Sequence, residues 1–512
     1  MDMIPHWTSS AKESAGRDPL GIQATSVRMY RTLVPGLTNV TNRLRYYSYY
    51  CWVVYLWQEI RHEDNLAGWY VFIRRAEALY ALACEIYHPG TTGLAGSDWA
   101  RDFLPILTGT TVNLRSATEG GDAKQYLKAK RGNFGQFYVA SMQEVGLLEP
   151  NSALPIVTED GGALAIAFGE AIGKDACTAL AVAINRGEVA TSDLARLGEV
   201  IHPSAIVEGT DEMLLLREFL WPKSLILAGS EARRTSAWLL LDLANQGVDI
   251  GRTIQVRNIL YDALLPNGSR YQPGGAIIQR WRAYQANEFC HVALEAFLNG
   301  MTALMGFEPA GIDPATLLRK VILLAFEDAE SVAWLDWAMD IAGSEESETL
   351  LVSAVLEGLR DPGGKADKIE VLLNAAKILG ILWVKWSGKE DAVKAEIATF
   401  SARPSTSLAG VVETLTSQNE GSVLDALEAV LLHHVIVEHL LVAGRKFAAS
   451  ARFTFRFTFE DGLLSNGILT EYRYTTPRLA NLFTFLVDAK LVGENGEVTA
   501  TGKNLLNDFK PS

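Results

Sequence analysis

Apolar residues recur at helical spacing along most of the chain and alternate in the manner of a strand only near its end. Val27, Met29, Tyr30 and Leu33 fit one face of a short helix that follows the rigid turn Asp18-Pro19-Leu20-Gly21. Pro35-Gly36 breaks the chain, and a helix is expected from about 38 to 61, capped by Thr38 or Asn39. Trp69, Phe72, Ile73, Ala76, Leu79, Tyr80 and Ala83 mark a third helix at 66–88, ended by Pro89-Gly90. After a flexible connection at 116–123 comes a helix through Met142 and a stop at Gly146-Leu147-Leu148. An extended stretch reaches 155–158, and a Gly161-Gly162 turn leads into another helix from Ala163. Residues 175–345 read as helical, with helices at 192–200, 211–220, 231–246, 276–301, 315–327 and 329–342. Lys368 to Trp386 is apolar on most faces and is expected to be buried. A long helix is expected from about 424 to 449.

The last stretch changes period. Phe453 to Phe459 alternates Phe with Thr or Arg, and Asp461-Gly462 supplies a turn. Thr475-Thr476-Pro477 opens a helix ending at Leu491-Val492; a turn at 493–496, an extended 497–499 and a short final helix follow. In two places, then, the order is helix, stop, extended wing, helix. Both are similar to the second half of a winged helix-turn-helix domain. The expected fold class is mainly α: a multidomain helical protein with two winged-helix-like modules. The pattern divides into an N-terminal helical domain (1–115), a first module (116–175), a central helical domain (176–401), a long helical connection (402–450) and a second module (451–512).

Composition narrows the function. The net charge of −14 disfavours a whole-surface grip on nucleic acid, so any such contact must be local. The four cysteines, Cys51, Cys84, Cys177 and Cys290, sit in apolar helical contexts without a CxxC pair. A reducing cytoplasm is therefore expected, with no disulfide framework or zinc ribbon. The first residues lack an apolar core, and the run Leu431 to Val442 is interrupted by His and Glu, so neither signal peptide nor membrane span is expected. No P-loop, no GxSxG elbow and no dinucleotide-binding glycine fingerprint occurs, and no cofactor is expected.

Four sets of residues carry candidate chemistry. The basic run Lys124, Lys128, Lys130 and Arg131, followed by Gln136, precedes the first wing and suits phosphate contact. In the second module the corresponding helix shows Arg478 and Asn481, although Glu494 and Glu497 in its wing oppose phosphate. Near the start, Arg28, Arg31, Arg43 and Arg45 accompany Tyr30, Tyr46, Tyr47, Tyr49 and Tyr50. The tyrosines read either as core packing or as a stacking surface, with Arg43 and Arg45 the surface cations. Glu-x-x-His occurs four times, and Glu288, His291 and Glu295 share one helical face in the manner of a metal-binding bundle. His202 and His88, each before a proline, read instead as helix-end residues. His434 and Glu438, four apart, could form a ligand set or an acid/base pair.

The stretches DPLG at 18–21, PGLTNVTNRLRYYSYYCW at 35–52, WRAYQANEFCHVALE at 281–295, HHVIVEHLLVAGRK at 433–446 and FTFRFTFEDG at 453–462 together resemble a family of uncharacterised bacterial proteins. Members are often encoded beside restriction, methylation or other anti-phage defence genes. The resemblance implies a setting and no mechanism; in that setting the two modules lead us to expect a non-catalytic subunit that binds double-stranded DNA or scaffolds a separate ATPase, helicase or nuclease. The alternative is a pure protein–protein adaptor, and a metal-dependent helical enzyme around Glu288, His291 and Glu295 is the third reading.

Overall fold

The computed structural model describes residues 18–509 apart from 61–64, 107–108, 120–124, 127–128, 224–228, 345–346, 361–366, 389–391, 451, 470–471 and 473. It is mainly α, 67% helical and 5% strand. The backbone gathers into two compact units, each discontinuous in sequence. One comprises the chain up to Arg31 together with Arg257–Thr475; the other comprises Thr32–Val256 and Thr476–Ser512.

The second of these units is organised around the helix Arg45–Ile60, in which eleven residues are buried. Its Tyr46, Tyr47, Tyr49 and Tyr50 are all inside, so the tyrosines pack and do not form a stacking surface. A buried phenol needs a partner for its hydroxyl. Tyr47 donates to the Gly36 carbonyl (2.6 Å), Tyr49 to that of Ala76 (2.7 Å), and Tyr46 accepts from the Ala95 amide (2.9 Å). The helix starts later than 38 because Thr41 closes a tight turn onto Thr38, with two hydrogen bonds to the Thr38 carbonyl. Leu66–Tyr87 forms as expected, capped by Asn65. It lies along Thr191–Ile201 so closely that a Cβ at Gly198 would collide with the Ala83 carbonyl. Lys174–Arg186 falls in the stretch expected to be helical, whereas the short strand pair Thr111–Asn113 with Glu188–Ala190 was not foreseen.

The other unit is built on Ala276–Met305, a 30-residue helix buried on nearly every face. Around it lie Pro314–Ala325, Glu348–Arg360, Lys368–Trp386, Ala392–Phe400 and Leu408–Ser417. The long helix Val423–Ser450 passes through a π segment, Leu431–Val437. It is the one described helix long and apolar enough to cross a membrane, and 61% of its most apolar window is buried. The expected helix 329–342 begins only at Trp334, because the preceding stretch forms turns and Ala333 bridges to Ser422. Of the alternating Phe stretch only Thr458–Glu460 is strand; it pairs with Leu463–Ser465 across Asp461-Gly462, both at positive φ, as a two-residue hairpin turn requires.

Candidate functional site

Two segments of the Thr32–Val256 and Thr476–Ser512 unit share one local design. In the first, a π segment Phe134–Tyr138 runs into Val139–Glu144, a hairpin follows, and Glu159–Ile172 closes it. In the second the helices are Leu479–Asp488 and Ala500–Asp508. Each first helix ends on a residue at positive φ, Gly146 or Lys490. The next amide, of Leu147 or Leu491, donates back to Met142 or Leu486 at 2.9 Å in both. A single antiparallel bridge makes each hairpin, Leu148 to Val157 and Val492 to Val498. Thr158 and Thr499 then cap the second helix and donate to the carbonyls of Gly146 (2.6 Å) and Lys490 (2.8 Å). Thr-x-x-Gly completes the design, because a Cβ at Gly161 or Gly502 would strike the carbonyl of Leu147 or Leu491. Gly161→Ala or Gly502→Ala should cost about 1–3 kcal/mol each through this overpacking. Thermal denaturation checks it, and unchanged melting would mean the close approach relaxes freely.

The two copies present their first helices differently. In the first copy Lys130, Arg131 and Gln136 are exposed; Lys124 and Lys128 lie outside the described residues. Arg131 also lines a groove of about 370 Å³ between this helix and its hairpin, with Tyr70, Gln143 and Ser152. The start of this helix is anchored from below by Glu77, a buried acid that sequence reasoning missed. Its carboxylate accepts from the amides of Phe134 (2.6 Å) and Asn133 (3.0 Å) and from the hydroxyls of Tyr50 and Tyr126 (both 3.2 Å). The available signal was an acidic residue inside the buried apolar run Ala76 to Cys84.

Burial pushes Glu77 up to about 7, against the pull of those four donors. Its folded state therefore keeps a proton that the unfolded chain releases between about pH 4.5 and 7. Stability contributed at this site rises as pH falls through that window, by up to about 3 kcal/mol. The stability lost in Glu77→Gln should accordingly be larger at pH 5 than at pH 7.5 in urea titrations. A pH-independent difference would refute the assignment. His202, His434 and His439 act in the opposite sense. Burial holds each down at about 4, so they withdraw stability as pH falls from 6.5 towards 4.

In the second copy the expected contact residues are engaged within the protein. Arg478 is buried and donates to the Val34 carbonyl (2.9 Å), and Asn481 donates to the Thr41 carbonyl (3.1 Å) and Asn42 (2.8 Å). Arg43 chelates Asp488 at 3.0 and 2.6 Å. Arg45 is not a surface cation: it is 1% exposed and pairs with Glu212. The apolar helix draws Arg45 inside because Glu212 waits there, 167 residues away in sequence.

Glu288, His291 and Glu295 are buried together in the other unit, but as a hydrogen-bonded seam. Glu288 accepts from the amide (3.1 Å) and hydroxyl (2.7 Å) of Thr475, with Arg257 at 3.7 Å. His291 meets Glu295 at 3.3 Å and Tyr472 at 3.4 Å. Burial pulls His291 down, yet the bond to Glu295 and its charge leave it raised. Among the described residues no three His, Cys, Asp or Glu are placed to hold a metal. His439 clips the Asp18–Gly21 turn to the Phe453–Phe459 stretch, donating to the Pro19 carbonyl (3.1 Å) and accepting from the Arg456 amide (2.8 Å). His434 and Glu438 share a face as their spacing predicts, but both hold the 403–406 turn: His434 bonds the Ser405 carbonyl, and Glu438 takes the Ser405 hydroxyl and Arg403. They form no acid/base pair.

No protein-family model, curated protein or solved structure matches the chain. The class its architecture defines is a mainly α protein of two sequence-discontinuous units, one of which carries the paired helix–hairpin–helix segments.

Proposed function

We propose that this protein is a non-catalytic DNA-binding subunit of a bacterial anti-phage defence system, cytoplasmic, acting with a separate ATPase, helicase or nuclease. The observation that carries the reading is the first helix–hairpin–helix segment, where Lys130, Arg131 and Gln136 stand exposed at a helix start beside its hairpin. In this reading the segment works as a winged helix, with its first helix towards the major groove and its basic residues on phosphate. The resemblance described above supports the setting. A salt titration of binding to double- and single-stranded probes tests it. Duplex binding that weakens steeply with salt is expected; absence of binding at low salt would move the reading to an adaptor. One observation favours that second reading: Leu432, Val437, Leu441 and Phe447 are exposed along Val423–Ser450, an apolar surface suited to a protein partner. It predicts stable co-purification with a protein encoded nearby and no DNA binding.

A further inference from the structure

The Val423–Ser450 helix turns an apolar face to solvent. Val437, Leu441, Gly444 and Ala448 recur at helical spacing and share that face, with Phe447 one turn on from Gly444. Val437, Leu441 and Phe447 are 41, 47 and 46% exposed. Gly444 leaves a notch between them: among the described residues, a Cβ there would meet nothing within 4 Å. Glycine weakens a helix interior relative to alanine, and no described contact requires this one. A notch inside an apolar stripe lets a bulky side chain seat against the backbone. Arg445, also exposed, flanks the stripe one turn beyond Leu441.

The stripe is short. Val437 to Ala448 covers about 18 Å of helix, whereas a stable interface between separate molecules buries roughly 800 Å² on each partner. An occupant on the same chain needs less area, because a short tether supplies an effective concentration in the millimolar range. The chain carries a segment suited to this. Met3, Ile4 and Trp7 are an apolar cluster, and the polar run Thr8 to Ser14 follows them. The same helix holds the far end of that run: Lys446 Nζ donates to the Asp18 carbonyl (2.7 Å), and His439 to that of Pro19 (3.1 Å). Trp7 stands eleven residues before Asp18, a span that reaches about 36 Å when extended. A helix with its side chains is about 10–12 Å across. The tether is therefore long enough to pass from the Lys446 side round to the stripe. Asp2, beside the apolar cluster, complements Arg445 in charge.

We propose that residues 3–7 dock on the Val437–Ala448 face, with Trp7 in the notch over Gly444, and that a partner protein gains this face only by displacing them. The inference is independent of DNA binding by the first helix–hairpin–helix copy. Photocrosslinking of the full chain tests it, with p-benzoylphenylalanine in place of Trp7 and peptide mapping of the monomeric fraction by mass spectrometry. Adducts are expected on residues 437–448. Gly444→Gln fills the notch and raises helix propensity. It should lower that adduct about tenfold without lowering the melting temperature. Four results would each overturn the proposal: no adduct, an adduct elsewhere on the chain, an adduct only between two copies, or an undiminished adduct in Gly444→Gln. The third would make a second copy the occupant of the stripe.

Discussion

Arg45→Ala is expected to destabilise its unit by about 3–5 kcal/mol, the range for removing one partner of a buried ion pair. Glu212 is fully buried, and Arg45 meets both its oxygens, at 3.0 and 2.9 Å. The same guanidinium satisfies the carbonyls of Val200 (2.7 Å) and His202 (2.8 Å). Truncation leaves Glu212 with the Ser48 hydroxyl at 2.7 Å as its remaining described side-chain partner. A carboxylate in that position must either stay charged in a dry interior or take up a proton, and both cost stability. Pairing Arg45→Met with Glu212→Leu should recover much of the loss, because apolar replacement removes the desolvation penalty from both sides. Urea denaturation of the single and double variants measures it. A loss below about 1 kcal/mol for Arg45→Ala would mean the pair behaves as a surface bridge.

The second large effect concerns DNA. Reversing Lys124, Lys128, Lys130 and Arg131 to Glu should abolish duplex binding. Each phosphate contact contributes about 0.9 to the slope of log K against log salt, so single substitutions, which leave binding measurable, should each remove about 0.9 from it. Unchanged affinity at low salt would sink the assignment of this run. Arg43, Arg45 and Arg478 are poor places for the same experiment. Their cationic groups are already held by Asp488, Glu212 and the Val34 carbonyl, so a lost affinity there could follow from lost packing alone.

The sequence carried the helices well where one face is apolar and the ends are punctuated. Leu66–Tyr87 has a capping Asn65 before it and Pro89-Gly90 after it, and its limits were legible within a residue or two. The tight turn at 38–41 was not, because Thr38 and Asn39 serve equally as helix caps and as turn formers, and only the Thr41 hydroxyl decides. The alternation of Phe453 to Phe459 has the period of a strand, but a ladder forms only where Leu463–Ser465 returns to meet it. The candidate site divides along the same line. Lys130, Arg131 and Gln136 lie exposed, as local polarity suggests. The burial of Arg45 depends on Glu212, and that of Arg478 on Val34, each contributed by a distant segment for which no local pattern exists. Thr158-x-x-Gly161 and Thr499-x-x-Gly502 recur at matching places in the two helix–hairpin–helix segments, a repeat that the sequence reading did not single out.

The discontinuous make-up of the units sets an order of events during synthesis. One unit needs both Thr32–Val256 and the segment from Thr476 onwards. Between them the ribosome must translate the stretch Arg257–Thr475, about 220 residues, which takes on the order of 10–40 s at roughly 5–20 residues per second. Throughout that interval Arg43 has no Asp488, and the Ala489 carbonyl that accepts from Arg217 at 2.9 Å does not yet exist. The nascent unit waits with Arg43 lacking its acidic partner, while Arg217 is held by Glu208 (2.7 Å) without the Ala489 carbonyl.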